Sequence, residues 1–358
     1  MMFNKTFTHT SRFMVALCLL SSIQLACSNS TEAEPTIASP TEQQDTPKLQ
    51  PHVVVAADGT ADYKTVQEAI DAAPAQQQEA YYIYIKKGVY KEVLSIPQAK
   101  EHIYLIGEDA LETVLTFDNY ASKKKPDGTE YGTGGSASVF VQGNHFVAEN
   151  LTFENAAGMN AGQAVAINIT AAESAFRNCR FLGHQDTWYA GNGTYQYLKD
   201  CYISGSVDFM FGGSTAFFEN CDIVSTRDGY LTAASTPKEQ AYGYVFDHCR
   251  VRAEAGVGEN SVYLGRPWRP DAHVVFIHTD MGKHIRSIGW HNWSNPDNEK
   301  TANYAEYKST GIGADVASRV AWSHQLSDEE AANYTYEKVI EGKHPAFMLE
   351  GTLIQLNE

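Results

Sequence analysis

The chain has 358 residues, 43% hydrophobic, 11% aromatic and 20% charged, the make-up of a globular protein with one large core or two domains. A net charge of −16 excludes nucleic acid as a partner, because phosphate backbones are held by clustered Lys and Arg. The acids are spread along the chain, which reads as solubility.

Residues 1–27 read as an export signal. Lys5 and Arg12 precede a short apolar run from Phe13 to Leu20, too short for a stable membrane span. Gln24-Leu25-Ala26-Cys27 is similar to a bacterial lipobox, in which the Cys is lipidated and becomes the first mature residue. Gln24 stands where Leu is usual, so plain cleavage after Ala26 is the alternative. The protein is therefore expected in the cell envelope, as an outer-membrane lipoprotein, or secreted. Residues 28–50 are Ser, Thr, Glu, Pro and Gln with almost nothing to bury, and predict a flexible tether. The folded domain is expected over 51–358.

In that domain Thr65-Val-Gln-Glu68 is a capping box before AIDAA, and Ser327-Asp-Glu-Glu330 is a second one. Both predict short helices that close the ends of whatever lies between them. What lies between is a repeat. VAENLTF, AFRNCRF, YLKDCYI, FFENCDI, VFDHCRV and VFIHTDM share one template: apolar residues, then Asn, Asp or His, then a small or apolar residue at 151, 179, 201, 221, 249 and 279. Steps of 20–30 residues that vary between coils are the mark of a solenoid. The units are short and rich in β-branched and aromatic residues, so they are read as strands. The expected fold is an all-β solenoid, a single-domain right-handed parallel β-helix with coils about 4.8 Å apart.

Cys179, Cys201, Cys221 and Cys249 then form one inward column. No CxxC or His-spaced pair accompanies them, so zinc is not expected. In an oxidising compartment Cys201 and Cys221 are the pair expected to bond, with four reduced buried thiols as the alternative.

On a solenoid, one coil of sequence separation means contact. Gln163 and Gln185 are 22 residues apart, and so are Asp186 and Asp208. Two acids and two amides should therefore meet on three consecutive coils. Two carboxylates that close cannot both ionise cheaply, so one becomes a proton donor and the other an anionic nucleophile or base. The amides suit an oxyanion. Within GSVDFMFG, strand alternation puts Val207 and Phe209 inside and Asp208 outside. Arg266 of LGRPW is placed to fork onto a carboxylate, and Trp268 offers a flat face to a sugar. Tyr189 and Phe211 each follow an acid by three residues and are expected beside the cleft. His184 reads as a hydrogen-bonded turn residue, and Asp118, Asp127 and Asp228 as solvated turns without calcium-loop spacing.

These residues carry a resemblance to the pectin methylesterases, over about residues 52–345. GVYKE at 88–92, GQAVA at 162–166, GHQDTWY at 183–189, DFMFG at 208–212 and LGRPW at 264–268 match or resemble that family's ordered motifs. The resemblance implies hydrolysis of methyl-esterified homogalacturonan to methanol and de-esterified pectin, with no metal or cofactor. It implies Asp208 as nucleophile, Asp186 as acid then base, Gln185 assisted by Gln163 as oxyanion donors, and Arg266 as the group that keeps Asp208 ionised. Trp268, Phe211 and Tyr189 would line the sugar groove, with Ser138 of SAS counted among the substrate-binding residues. Trp188 for Leu, Met210 for Ile, and GIG at 311–313 for GPG are departures that put the groove, and with it the methylation pattern, in question. Two other readings make different predictions. An envelope acyl-CoA thioesterase of the same family should show altered groove aromatics. A non-catalytic pectin-binding protein should lack an acid, a Gln or the Arg. The chain keeps all of these. A monomer is expected for a capped solenoid with an open groove.

Overall fold

The computed structural model describes residues 48–347 and 353–356. The signal, Cys27 and most of the predicted tether lie outside the described residues. The tether's last residues do not stay free of structure: Lys48–Leu49 pair in parallel with Leu353–Ile354.

The chain winds as a right-handed parallel β-helix. Each coil contributes strands to three faces. One face is an 11-stranded sheet running from Val53–Val55 to His324–Gln325. The other two faces merge where two strands, Tyr202–Gly212 and Asp222–Ala234, are long enough to turn the corner and belong to both.

The repeat register is as the sequence predicts. Thr152, Arg180, Tyr202, Asp222, Arg250 and Asp280 are in-register neighbours, so the positions just before them form one column. The repeated unit, however, is not one strand. It is a corner between two strands, as between Glu173–Arg177 and Arg180–Leu182. The Asn/Asp/His position is the corner itself. Asn150, Asn178, Asp200, Asn220, His248 and His278 all take left-handed φ of 48–57°. Among residues with a Cβ, these three types tolerate that conformation best. The template thus records backbone conformation, which an alternation argument does not see.

Inside, aromatic rings stack coil on coil. Phe218 lies 4.4 Å from Phe246, which lies 4.4 Å from Phe276, all nearly parallel. The cysteine column is inward as expected, but Cys179, Cys201, Cys221 and Cys249 are free thiols, which corrects the expected Cys201–Cys221 bond. One coil spacing lies within the backbone separation that a disulfide spans, so it is the direction of the side chains, and not the register, that leaves them unbonded. Each thiol is instead directed at a carbonyl of the preceding coil, Cys201 Sγ at Phe176 O and Cys221 Sγ at Leu198 O, both at 3.5 Å. Burial pushes both thiols well above the usual range, so they are poor nucleophiles.

Both capping boxes form. Thr65 and Glu68 exchange side-chain-to-backbone bonds at the head of the helix Val66–Ala72. Val66, Ala69 and Ile70 from that helix are buried in the main core and close the first coil. Glu92, the acid of GVYKE, accepts from Val66 N at 2.9 Å and Gln67 N at 3.1 Å. That motif therefore fastens the cap through charge at a helix N-terminus and does no chemistry. Ser327 and Glu330 cap Asp328–Ala331 in the same way. Here the expectation of an end cap fails: Val339 and Ile340, just beyond, pack with Tyr197 and Phe217 on the outer flank of the 11-stranded sheet. That flank is apolar, and the C-terminal helices cover it.

Candidate active site

The two acids sit at the corners between the second and third faces. Asp186 lies between Arg180–Leu182 and Trp188–Ala190, and Asp208 lies in the bend of Tyr202–Gly212. Both are left-handed, φ 65° and 53°. The ladder register slips on either side of Val207 and resumes at Met210, where the strand turns. This corrects the alternation argument. Phe209 is fully buried, but Val207 is only half-buried and pairs with Tyr230 on the outer face. A left-handed residue between them resets the alternation, and the same kink aims Asp208 into a cavity.

Pairing fixes the rest. Gln163 bridges Gln185 in parallel, and Tyr189 pairs with Phe211, so Asp186 and Asp208 hold matching places on adjacent coils. The two motif glycines nearby are close-approach residues. A Cβ on Gly212 would lie 2.1 Å from Ala190 O, and one on Gly265 would lie 2.0 Å from Thr232 Oγ1. Any side chain there would push the Arg266 segment or the Asp208 strand off its neighbour.

The cavity holds about 340 Å³. Gln163, Gln185, Asp186, Asp208 and Arg266 supply its polar wall. Tyr189, Phe211, Trp268 and Trp293 supply its aromatic wall, with Phe211 4.9 Å from Tyr189 and 5.9 Å from Trp268. Arg266 grips Asp208 with two bonds, Nε to Oδ1 at 2.9 Å and Nη2 to Oδ2 at 2.6 Å. Gln163 Nε2 donates to Asp186 Oδ2 at 3.0 Å.

Desolvation raises both acids, but unequally. Asp186 is pushed up to about 7, first by burial and then by the negative charge of Asp208, with Gln163 and Arg266 opposing. Asp208 is also raised by burial, and the two bonds from Arg266 pull it back. At neutral pH the arrangement provides one carboxylate poised to carry a proton and one held as an anion, a division of labour set by environment.

Ser138 is a correction. It is fully buried, and its hydroxyl has no hydrogen-bond partner, so it lines no groove. Trp188 and Met210 are also fully buried, and Trp188 packs on Phe218 and Tyr244. Those two departures therefore alter the interior of the coil and leave the groove surface alone. His184 is half-buried outside the cavity, and Asp118 is ion-paired with Lys91 and Lys123.

Sequence reasoning missed three contributors. Trp293 closes the cavity and Tyr230 backs it, and both rings lie 3.9 Å from the Arg266 guanidinium. Tyr230 stands 22 residues after Asp208, the same step that joins the two acids, so the repeat did carry a signal for it, whereas Trp293 stands at no one-coil spacing from either acid. Asn155 shares its two Nδ2 hydrogens among three backbone carbonyls, of Asn119, Ser136 and Val165, and so ties together the segments behind Gln163.

Comparison with known proteins shows the family. A pectinesterase family model matches residues 52–343. Pectinesterase 31 of Arabidopsis thaliana is 45% identical over 296 residues, 81% of this chain and 92% of that protein. The structure of a pectin methylesterase from carrot aligns with a TM-score of 0.76 at 35% identity, over 82% of this chain and 93% of that one. A pectin methylesterase solved with a bound hexasaccharide aligns with a TM-score of 0.73 at 32% identity, over 83% and 99%. With its fold and nearly its whole described length shared, the chain belongs to the pectinesterase family, a family of ester hydrolases.

Proposed function

We propose that the protein hydrolyses methyl esters of galacturonate units in pectin, with Asp208 as nucleophile and Asp186 as proton carrier. The observation that carries the reading is the unequal acid pair. Asp208 is clamped by Arg266, and Asp186 sits beside it with its proton affinity near neutrality.

An Asp208 oxygen attacks the ester carbonyl carbon and forms a tetrahedral oxyanion. The Gln185 amide, assisted by Gln163, donates to that oxygen. The bond from carbon to the methoxy oxygen breaks, and Asp186 gives its proton to the departing methanol. The acyl-enzyme is an anhydride between the substrate carboxyl and Asp208. Asp186, now charged, takes a proton from water as the water attacks the anhydride. Asp208 leaves as a carboxylate held by Arg266, and Asp186 is again protonated. Tyr189, Phe211 and Trp268 offer the apolar faces against which sugar rings pack. Purified residues 48–358 should release methanol from methyl-esterified pectin. A folded protein that releases none at any pH between 5 and 9 would reject the reading, and thioester cleavage of an acyl-CoA instead would favour the other member of this fold family.

Export with a lipid on Cys27 completes the proposal. Full-length wild type should partition with envelope membranes and Cys27→Ser with the soluble fraction. Equal partitioning of the two would remove the anchor.

A further inference from the structure

Arg266 is the terminus of a stack that continues well past the cavity. Its guanidinium carbon lies over both the Trp293 and the Tyr230 rings, 3.9 Å from each centroid. Behind Tyr230, Tyr263 is parallel to it at 4.9 Å with 8° between planes, and Arg286 lies 4.7 Å beyond Tyr263. The order is therefore ring, cation, ring, ring, cation. It follows the solenoid axis, because Val207, Tyr230 and Tyr263 are in-register neighbours on three coils. His291 wedges against both tyrosines, at 5.7 and 5.3 Å. Gly229 lets this coil close on the Asp208 strand: a Cβ there would lie 2.3 Å from Ser206 O.

A guanidinium is planar and donates only from its edge. Two rings on its faces leave rotation within the plane and little else, and they satisfy its charge where water is scarce. The edge left over meets Asp208. We infer that Tyr230 is a positioning residue for the ester hydrolysis proposed above, acting on Asp208 only through the plane in which it holds Arg266. Tyr230 does not line the cavity, whereas Trp293 does, so Tyr230 separates positioning from substrate contact. With Tyr230 gone, Arg266 samples other orientations. Asp208 then spends time without its two bonds, binds protons more readily, and attacks from a scattered position.

The test compares Tyr230→Phe, which keeps the ring, with Tyr230→Leu, which does not. Tyr230→Leu should lower kcat about 10- to 30-fold with KM within about 2-fold. The acidic limb of its kcat/KM profile should move to higher pH by about half a unit or more. Tyr230→Phe should stay within about 3-fold of wild type, with its acidic limb unmoved. On an Arg266→Lys background, Tyr230→Leu should add less than about 2-fold, because a lysine has no plane to hold. An unmoved acidic limb, or full additivity with Arg266→Lys, overturns the inference. A second readout needs no turnover. In arginine-labelled protein the Arg266 Nε–H resonance, identified by its loss in Arg266→Lys, should be shifted by the rings and slow to exchange in wild type and Tyr230→Phe. In Tyr230→Leu it should lose both properties. If wild type releases no methanol, the proposed activity falls, while this resonance still decides whether Tyr230 holds Arg266 in place.

Discussion

Asp208→Asn is expected to fold normally and to lose methanol release by about 10⁴-fold or more, the scale seen when a nucleophile is removed from an intact site. The amide fits the space of the carboxylate and cannot form the anhydride. The stability expectation comes from two opposing effects. Arg266 loses its charged partner, which is costly for a cation that is mostly withdrawn from water. Against this, Asp208 itself is raised by burial in spite of Arg266, so its charge is not favourable in the folded state. Tyr230 and Trp293 continue to hold the guanidinium. The net change should stay within about 2 kcal/mol of wild type. Methanol release and a denaturant midpoint at pH 7 check both halves. Turnover above about 1% of wild type would move the nucleophile elsewhere.

The solenoid was legible because a parallel in-register stack writes the same residue class at each coil, and the column from Leu151 to Thr279 survives loops of different length between coils. The same logic placed Gln163, Gln185, Asp186 and Asp208 together from two 22-residue steps. It failed wherever conformation rather than spacing decides. Val207 was assigned inward because alternation assumes a straight strand, and the left-handed φ of Asp208 breaks it. Ser138 is expected in the groove only because SAS resembles a family motif, yet its side chain is fully buried. Tyr230 is one 22-residue step past Asp208, but the register slip at Val207 sets it opposite Val207 and turns it to Arg266, which spacing does not encode. The cysteines illustrate the remaining limit. Sequence placed them in one column, but column membership sets only a separation that a disulfide can span; whether the thiols bond depends on side-chain direction, which spacing does not encode.

Asp186→Asn should lose activity and gain stability, and the gain should depend on pH. Asp186 binds protons more tightly in the folded protein, at about 7 against an ordinary 3.8, because burial and Asp208 disfavour its charge. Below about pH 4 both states carry the proton and the group contributes nothing to the pH dependence. As pH rises from 4 to 7 the unfolded chain ionises first, so folding must take up a proton and stability falls. Above 7 the loss levels off, at no more than about 4 kcal/mol for a displacement of some three units. Asn cannot ionise and keeps an acceptor for the Gln163 amide, so it escapes this cost. The variant should match wild type near pH 4 and exceed it by roughly 2–4 kcal/mol at pH 8, with chemical denaturation at the two pH values as the measurement. An equal difference at both would mean that Asp186 titrates normally. The activity side follows from the same proton. Wild-type kcat/KM should descend as pH passes about 7, because an ionised Asp186 has nothing to give the departing methanol. In Asp186→Asn the residual rate, lower by about 10²–10⁴-fold, should lack that limb. The site is thus held at the cost of stability by the charge separation it uses: the cavity that raises Asp186 enough to make it an acid near pH 7 is the cavity that makes the folded chain less stable there.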